Sequence, residues 1–340
     1  MSPRPKVPDG GQVSAPFVTP ATENPPPLVS FVVPLFNCLA LTQAMVASLK
    51  ATLPRGLPHE LILVDDGSTD GTSAWLDSLD EPSIRTLGNE GNVGFAVSTN
   101  RGAAAARADI LVLLNNDLIL TPGWLEPLLS EFSRLGTRAG AIGNVQRTVQ
   151  DGTVDHVGIV INLKGKPEHE RDLSAGSLWS RLRGARRVDA VTGACLLIAR
   201  SLWLELGGFD ERFVNGCEDV DLCFRTTAHR RVNLVVLRSV VKHHVSSSAG
   251  RKRRDEVNTL RLTLKWRDTL VILAARRWCL DFLNRAWTHP REPVDVTNAA
   301  AAFFYGLHLL PNPPSFALLA MNASVDLELT RWRALGSDTA

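Results

Sequence analysis

The chain predicts an α/β fold, a mostly parallel central sheet flanked by helices, followed by a C-terminal helical segment. Three observations carry this. Strand-like and helix-like stretches alternate from residue 28 to residue 114. Ile110–Leu114 is an unbroken apolar run, as expected of a strand buried on both faces. Each apolar run stops in a polar cluster, and in open parallel sheets ligands sit outside the carboxyl ends of the strands.

Residues 1–27 are rich in proline and end in Pro25-Pro26-Pro27, so they read as a disordered, polyproline-like arm with no core of its own. Leu28 to Pro34 is a first strand, stopped by a proline that cannot donate to a ladder. Leu39 to Leu53 has helical spacing and ends before Pro54. His59 to Asp65 is a second strand, Thr72 to Leu79 a short helix and Ser83 to Leu87 a short strand. Gly94 to Ala106 is an Ala-rich helix leading into Ile110. The second half is less regular. Ala139 to Arg147 is a strand, and residues 163–185, rich in charge, Gly and Ser, form an insertion or mobile loop. Val188 to Ala199 is a strand broken at Gly193-Ala194. Arg200 to Leu206 is a helix ended by Gly207-Gly208. Glu218 opens another helix, and Val232–Val236 and Ser239–Val241 are late strands reaching His243-His244. Helices then cover Glu256–Arg277, Leu280–Trp287 and Val296–Leu310.

Bulk composition narrows the function. With 37 basic and 35 acidic residues in 340, the net charge of +2 demands no polyanion, so a nucleic-acid partner is not expected. Five cysteines, an odd number without a repeated C-x-x-C pair, argue against a disulfide framework or a zinc site and favour a reducing compartment. No run of eighteen apolar residues or apolar leader is present in the sequence. The expectation is a cytoplasmic protein, with peripheral contact at the inner face of the membrane left open.

Five polar constellations stand at strand ends or helix starts. Asn115-Asn116-Asp117 interrupts an apolar stretch that resumes at Leu118. A buried carboxylate costs several kcal/mol unless something pairs with it, and a metal-bound polyphosphate is a suitable partner. Asp65-Asp66-Gly67-Ser68-Thr69-Asp70-Gly71 carries more acid than one helix cap requires, so a carboxylate there can accept from a base or a ribose. Asn89 to Asn100 combines glycines, which admit a ligand close to the backbone, with amides. Glu218-Asp219-Val220-Asp221 sets three carboxylates at a helix start. The helix dipole accounts for only about 0.3–1 kcal/mol per charge, and crowded carboxylates raise one another's pKa, which suits a general base. Arg225, at i+4, pairs with Asp221, leaving Asp219 as the freest base and Glu218 second. His243-His244 precedes the basic run Arg251–Arg254, and fits metal or phosphate contact.

This ordered set resembles the inverting family 2 glycosyltransferases of the GT-A fold, a Rossmann-like architecture, and especially their rhamnosyltransferase-like branch. The resemblance covers about residues 28–250. It rests on Val33-Pro34-Leu35-Phe36-Asn37, Val64 to Gly71, Asn89 to Asn100, Leu113 to Asp117, Val191-Thr192-Gly193-Ala194, Gly207 to Glu211, Glu218 to Arg225, and His243 with Ser246 and Ser248. It implies a nucleotide-binding half at about 28–120, an acceptor half at about 121–250, and a basic loop with a helical extension at 251–340. Pro34, Phe36, Asn37, Asp65, Asp66, Asn92, Gly94 and Asn100 would hold the nucleotide-sugar, together with Asn115, Asn116, Gly193 and Ala194. Asn115-Asn116-Asp117 stands where the family has D-x-D. The first acid is Asn here, so Asp117 would carry the metal contact, with His243 as a second ligand to Mg²⁺ or Mn²⁺. Asp219 matches the catalytic base. The implied partners are a nucleotide-sugar donor and a saccharide or lipid-linked acceptor, in polysaccharide or cell-envelope biosynthesis.

Two rivals are weaker. A non-catalytic sugar-nucleotide-binding scaffold explains Asn115 but has no need of the Glu218-Asp219 pair. A dinucleotide-dependent oxidoreductase lacks the G-x-G-x-x-G after its first strand. Beyond residue 255, Trp266, Trp278, Trp287, Phe303, Phe304 and Tyr305 lie among arginines. They serve either helices packed on the catalytic domain or a surface meeting a membrane.

Overall fold

A computed structural model describes residues 26–174, 182–244, 251–288, 295–307 and 309–337, with the backbone alone at 251–254 and 334–337. The expected arm at 1–27 and the serines at 246 and 248 therefore lie almost wholly or wholly outside the described residues.

Strands β1 (Val29–Leu35), β2 (His59–Asp65), β3 (Ile84–Gly88) and β4 (Ile110–Leu114) alternate with helices α1 (Leu39–Thr52), α2 (Thr72–Asp77) and α3 (Phe95–Ala105). All four strands are parallel. β5 (Leu118–Leu120), α4 (Leu125–Leu135), β6 (Ala139–Thr148) and β7 (Val154–His156) follow, then the hairpin β8 (Ile159–Ile161) and β9 (Pro167–His169). The second half adds β10 (Ala185–Arg187), β11 (Cys195–Ala199), α5 (Arg200–Leu206), α6 (Glu218–Ala228) and β12 (Val232–His243). Helices α7 (Arg251–Thr288), α8 (Val296–Gly306) and α9 (Ser315–Ser337) complete the chain. The main sheet runs β10-β12-β6-β11-β4-β1-β2-β3, with β11 antiparallel to both neighbours and β12 parallel to β6.

The apolar runs behave as their composition requires: every residue of β1 and β4 is buried. At the amino ends of these strands the buried Glu60 receives Ser30 Oγ at 2.6 Å, the Arg107 backbone N–H at 2.7 Å and Arg107 Nε at 3.0 Å. That set of donors makes its burial tolerable and ties β1, β2 and the approach to β4 together at the end away from the polar clusters. Gly102 lets α3 lie on the sheet, because a Cβ there would come within 2.5 Å of Val32 Cγ1.

Several expected elements differ. The strand expected over Val188–Ala199 forms only from Cys195, because the backbone before it is diverted: Gly193 N–H goes to Asp219, and the Ala194 carbonyl accepts from Asn115. The two late strands are one, β12, with a bulge between Val236 and Val240. The expected helices 256–277 and 280–287 form one helix, α7, kinked at Trp266. The segment at 163–185 includes β9, paired with β8, while 175–181 lie outside the described residues.

The C-terminal helices share the core of one sheet face. Leu262, Leu270, Ala274, Cys279, Tyr305, Met321 and Trp332 are buried in the same cluster as Val32, Leu113 and Leu196. Trp266, Trp278 and Tyr305 are inward-facing or half-buried, whereas Trp287 is 86% exposed and Phe303 and Phe304 about half exposed.

Candidate active site

The carboxyl ends of β1, β2 and β4 converge on one edge. At the tip of β1, Asn37 adopts a left-handed conformation (φ 56°). It is fixed by its N–H on Ser68 Oγ and by Oδ1 accepting from the Thr69 N–H, both at 2.8 Å. Asp65 accepts from the Ser68 N–H at 3.0 Å and Ser73 Oγ at 2.5 Å, so its charge serves the turn, outside the walls of either cavity described below. Asp66 accepts from Asn89 Nδ2 at 2.8 Å and from the backbone N–H groups of Val93 and Gly94 at 2.9 Å each. It thereby shapes the Asn89–Gly94 loop. Gly67 (φ 75°) packs against that loop so closely that a Cβ would lie 2.7 Å from the Gly91 backbone. These pieces enclose a cleft of about 160 Å³ lined by Pro34, Phe36, Asp66, Asn92, Gly94, Asn115 and Asn116, with Leu35, Phe95 and Asn215.

A larger cavity of about 720 Å³ adjoins it, sharing Phe95, Asn115 and Asn215 in its wall. Asp117 enters this cavity from the turn after β4, and His243 from the end of β12. Three strand contacts set their relation. Leu118 pairs with His243 across β5 and β12, Thr148 of β6 pairs with His243, and the His244 N–H donates to the Asp117 carbonyl at 3.0 Å. His243 Nε2 lies 3.3 Å from Asp117 Oδ1, and Nδ1 lies 3.6 Å from Oδ2 of Asp155, on β7. Burial disfavours the His243 imidazolium, but Asp117 and Asp155 outweigh it and pull the ring up to about 9 in the metal-free protein. Asn115 Oδ1, Asp117 Oδ1 and His243 Nδ1 are buried atoms without an aligned hydrogen-bond partner. Buried polar atoms are normally satisfied. Two orphaned oxygens beside a histidine nitrogen fit a hard divalent cation with a diphosphate better than they fit each other. Among the described residues no tight group of three ligating side chains is present, so protein ligands alone do not complete a coordination sphere.

The opposite wall of the cavity is the start of α6. Asp219 is half-buried, its Oδ2 accepting from the Gly193 N–H at 2.8 Å and Oδ1 from the Val220 N–H at 2.8 Å. Glu218 is buried and accepts from the Gly216 N–H at 2.6 Å. Burial raises both pKa values, and the Asp219 charge raises Glu218 further. Glu218 carries the Asp219 charge among the causes of its rise, so Asp219, which lines the cavity, is the first of the two to ionise as pH rises. His169 and Arg171, at and just beyond the end of β9, line the same space, and His169 helps Asp219 stay ionised.

Asp221, fully buried one helical turn from Glu218, accepts from Arg225 Nε at 2.8 Å, as the sequence spacing anticipates. It also meets Lys265 Nζ at 2.7 Å and Trp266 Nε1 at 2.8 Å, both from α7. Asn258 of α7 grips both backbone groups of Val214, just before the loop that leads to Glu218. Asp255 and Thr259 of α7 line the cavity directly.

Of the residues singled out in the sequence, Asn115, Asp117, Gly193, Ala194, Glu218, Asp219 and His243 meet in the larger cavity. Pro34, Phe36, Asp66, Asn92, Gly94 and Asn116 meet in the cleft. Asn37 stands at its edge, with its carbonyl 3.5 Å from Asn116 Nδ2. Asn100 lines neither; its side chain clamps the backbone N–H and carbonyl of Phe209 and meets Glu211. Sequence reasoning missed Asp155, His169, Arg171, Phe95, Asn215, Asp255 and Thr259. Phe95 adjoins Gly94 and Asn215 lies near Glu218, so adjacency was a usable signal for those two. The others arrive through β7, β9 and α7, which carry no motif.

Comparison with known proteins follows the same lines. The description of glycosyl transferase family 2 matches residues 30–189. N-acetylglucosaminyl-diphospho-decaprenol L-rhamnosyltransferase of Mycobacterium tuberculosis is 31% identical over 233 residues, covering 62% of this chain and 73% of that protein. O-antigen biosynthesis protein RfbC of Myxococcus xanthus is also 31% identical, over 65% of this chain but only 18% of its own length. An uncharacterized protein, y4gI, of Sinorhizobium fredii is 29% identical over 77% of this chain, which spans 28% of it. The crystal structure of GalNAc-T7 with UDP, GalNAc and Mn²⁺ superposes with a TM-score of 0.61 at 19% identity, covering 76% of this chain and 51% of that one. The expected GT-A type architecture is thus the one observed, and by its match to a relative covered over most of its length this chain belongs to glycosyl transferase family 2.

Proposed function

We propose that this protein is an inverting glycosyltransferase that moves a sugar from a nucleotide-diphosphate sugar to an acceptor hydroxyl. One observation carries the reading: Asp219, a half-buried carboxylate with a raised pKa, faces the same cavity as Asp117 and His243. The cleft built by Pro34, Phe36, Asn37, Asp66, Asn92 and Gly94 takes the nucleotide, and Asn115 and Asn116 lie between it and the cavity. Asp65 and Asn100 act from behind, through the turns they hold. Asp117 and His243 are the residues to hold Mg²⁺ or Mn²⁺, which when bound neutralises charge on the departing diphosphate. The GalNAc-T7 complex, with UDP and Mn²⁺ on the same fold, supports this assignment.

Asp219 takes the proton of the acceptor hydroxyl while that oxygen bonds to the anomeric carbon. The bond from that carbon to the phosphate oxygen breaks, and its electron pair leaves with the nucleotide. One displacement inverts the anomeric centre. Glu218, kept protonated, leaves a single negative charge at the base. The mycobacterial relative's name makes an L-rhamnosyl donor and a lipid-diphosphate-linked acceptor the first pair to try. Exposed Phe303, Phe304 and Trp287 on the C-terminal helices are the residues proposed for peripheral contact with the membrane that holds such an acceptor. No helix among the described residues is long and apolar enough to cross a membrane.

The deciding experiment is a binding screen of nucleotide-sugars with and without Mn²⁺, followed by transfer assays and NMR of the product anomer. Inversion is expected. Binding without turnover for every acceptor would favour the scaffold reading, and a retained anomeric configuration would remove Asp219 from the role of base.

A further inference from the structure

The side chain next to His243 on its far edge has no role in the scheme above. Asp155 sits in the middle of β7, is 7% exposed, and lines the main cavity. Its place is set by the paired residues on either side of it, Asp155 itself being the extra residue at a register shift. β7 runs antiparallel to β6 through Gln146–His156 and Arg147–Val154, and β6 pairs in turn with β12 up to Thr148–His243. Asp155 Oδ2 faces His243 Nδ1 at 3.6 Å, and Oδ1 faces Arg171 Nη2 at 3.5 Å. The other ring nitrogen, Nε2, faces Asp117 at 3.3 Å. The imidazole is therefore bracketed, a carboxylate at each nitrogen, and the two carboxylates have different surroundings. Asp117 Oδ1 is a buried acceptor with no aligned donor, whereas Asp155 is already engaged on its outer side by Arg171.

We propose that Asp155 is the positioning residue of the metal site: it accepts the Nδ1–H of His243 and so presents the Nε2 lone pair toward Asp117. A metal-bound histidine ordinarily donates its second N–H to a carboxylate, a carbonyl or water, and that outer contact fixes both the tautomer and the ring orientation. Asp117 is unsuited to this task because it faces the nitrogen that must stay free for metal. Asp155 faces the other ring nitrogen, so it would orient a ligand without being one. The contact of 3.6 Å is longer than a hydrogen bond, and a ring shift of about 0.5 Å toward Asp155 closes it to ordinary N–H···O length. Arg171, which lines the same cavity, meets the other carboxylate oxygen.

This inference rests on the metal reading of Asp117 and His243, and its test separates the two. Mn²⁺ is titrated into the full-length protein and free Mn²⁺ is followed by electron paramagnetic resonance, with thermal unfolding of the metal-free protein recorded in parallel. Asp155→Asn is expected to weaken Mn²⁺ binding by about 10–100-fold, while nucleoside diphosphate binding without metal stays within about twofold of wild type. Asp155→Glu, which keeps the acceptor on a longer arm, recovers part of the Mn²⁺ affinity. Wild-type Mn²⁺ affinity in Asp155→Asn, with His243→Ala impaired, overturns the role of Asp155 and leaves the metal site standing. Wild-type protein that binds no Mn²⁺, or is indifferent to His243→Ala, overturns both. Loss of affinity that Asp155→Glu does not relieve, accompanied by a lowered unfolding temperature, overturns positioning in favour of a packing role.

Discussion

Asp117 and His243 are set face to face by main-chain hydrogen bonds before any side chain is considered. The His244 N–H donates to the Asp117 carbonyl at 3.0 Å and Leu118 pairs with His243, which leaves Oδ1 and Nε2 3.3 Å apart. Substituting either side chain should therefore remove the metal contact without undoing the strand pairing beneath it. Asp117→Ala is expected to lower metal-dependent transfer by at least about 100-fold, since only one protein ligand then remains. Circular dichroism and unfolding temperature should stay near wild type. Unchanged transfer in Asp117→Ala, measured across a Mn²⁺ titration, would reopen the assignment.

Glu218 and Asp219 are adjacent in sequence but not equivalent in the fold. Asp219→Asn keeps an oxygen for the Gly193 N–H, so nucleotide-sugar binding should survive. Transfer should fall by about 10²–10⁴-fold, the usual contribution of a general base. Glu218→Gln replaces one neutral hydrogen-bonding group by another and still accepts from Gly216, so its kcat should stay within about tenfold of wild type. Single-turnover measurements on both variants check this. Equal losses in the two would mean that the base is shared between them.

The path from residues to site was legible where chemistry and chain order coincide. Unbroken apolar runs gave β1, β2 and β4, and polar stops at their ends marked Asp66, Asn115 and Asp117, because a buried strand must end in polar groups with a purpose. The spacing of Asp221 and Arg225 correctly marked a structural pair. It could not show that Lys265 and Trp266 join the pair, because that meeting depends on where α7 folds back. Asp155 was hidden for the same reason: β7 is three residues long, has no motif, and gains meaning only beside β6 and β12. Asn100 is a case in which the chain order says little about placement. It belongs to an amide-rich run, yet its helical position directs the side chain to Phe209 rather than to the cleft. The strand expected over Val188–Ala199 fails at Gly193, whose N–H is taken up by the Asp219 carboxylate rather than by a neighbouring strand.

The pH dependence follows from the direction of the shifts. Asp219 is raised above its ordinary 3.8 by burial, so its active, ionised form is lost at a higher pH than an exposed aspartate would lose it. The acid limb of kcat/KM should lie above that value. Glu218 is raised above its ordinary 4.5, so the folded state holds this proton more tightly than the unfolded chain. Its contribution to stability is then undiminished below 4.5 and is lost as pH rises through the folded value. Glu218→Gln should thus gain stability over wild type at alkaline pH and show no gain below about 4.5. Denaturant unfolding of the two proteins across pH 4 to 9 measures this, and parallel curves would contradict the assigned protonation.

Trp266 ties α7 to the first turn of α6. Its indole N–H and the Lys265 ammonium reach the fully buried Asp221, two residues from Asp219, at the point where α7 departs from helical geometry. The kink and the contact belong together, since the break in α7 falls on the residue that makes the bond. Trp266→Phe removes one charge-assisted hydrogen bond while Arg225 and Lys265 still neutralise the carboxylate. A loss of about 1.5–3 kcal/mol is expected, read as a lower denaturant midpoint. Transfer should fall as well, because Asp221 and Asp219 lie on the same first turn of α6. Truncation before Arg251 is a harsher test. It strips Leu262, Leu270 and Ala274 from the shared core and takes Asp255 and Thr259 out of the cavity wall. The shortened chain should lose cooperative unfolding together with activity. A truncated chain that unfolds cooperatively and still binds nucleotide-sugar would show that the helices are an appendage.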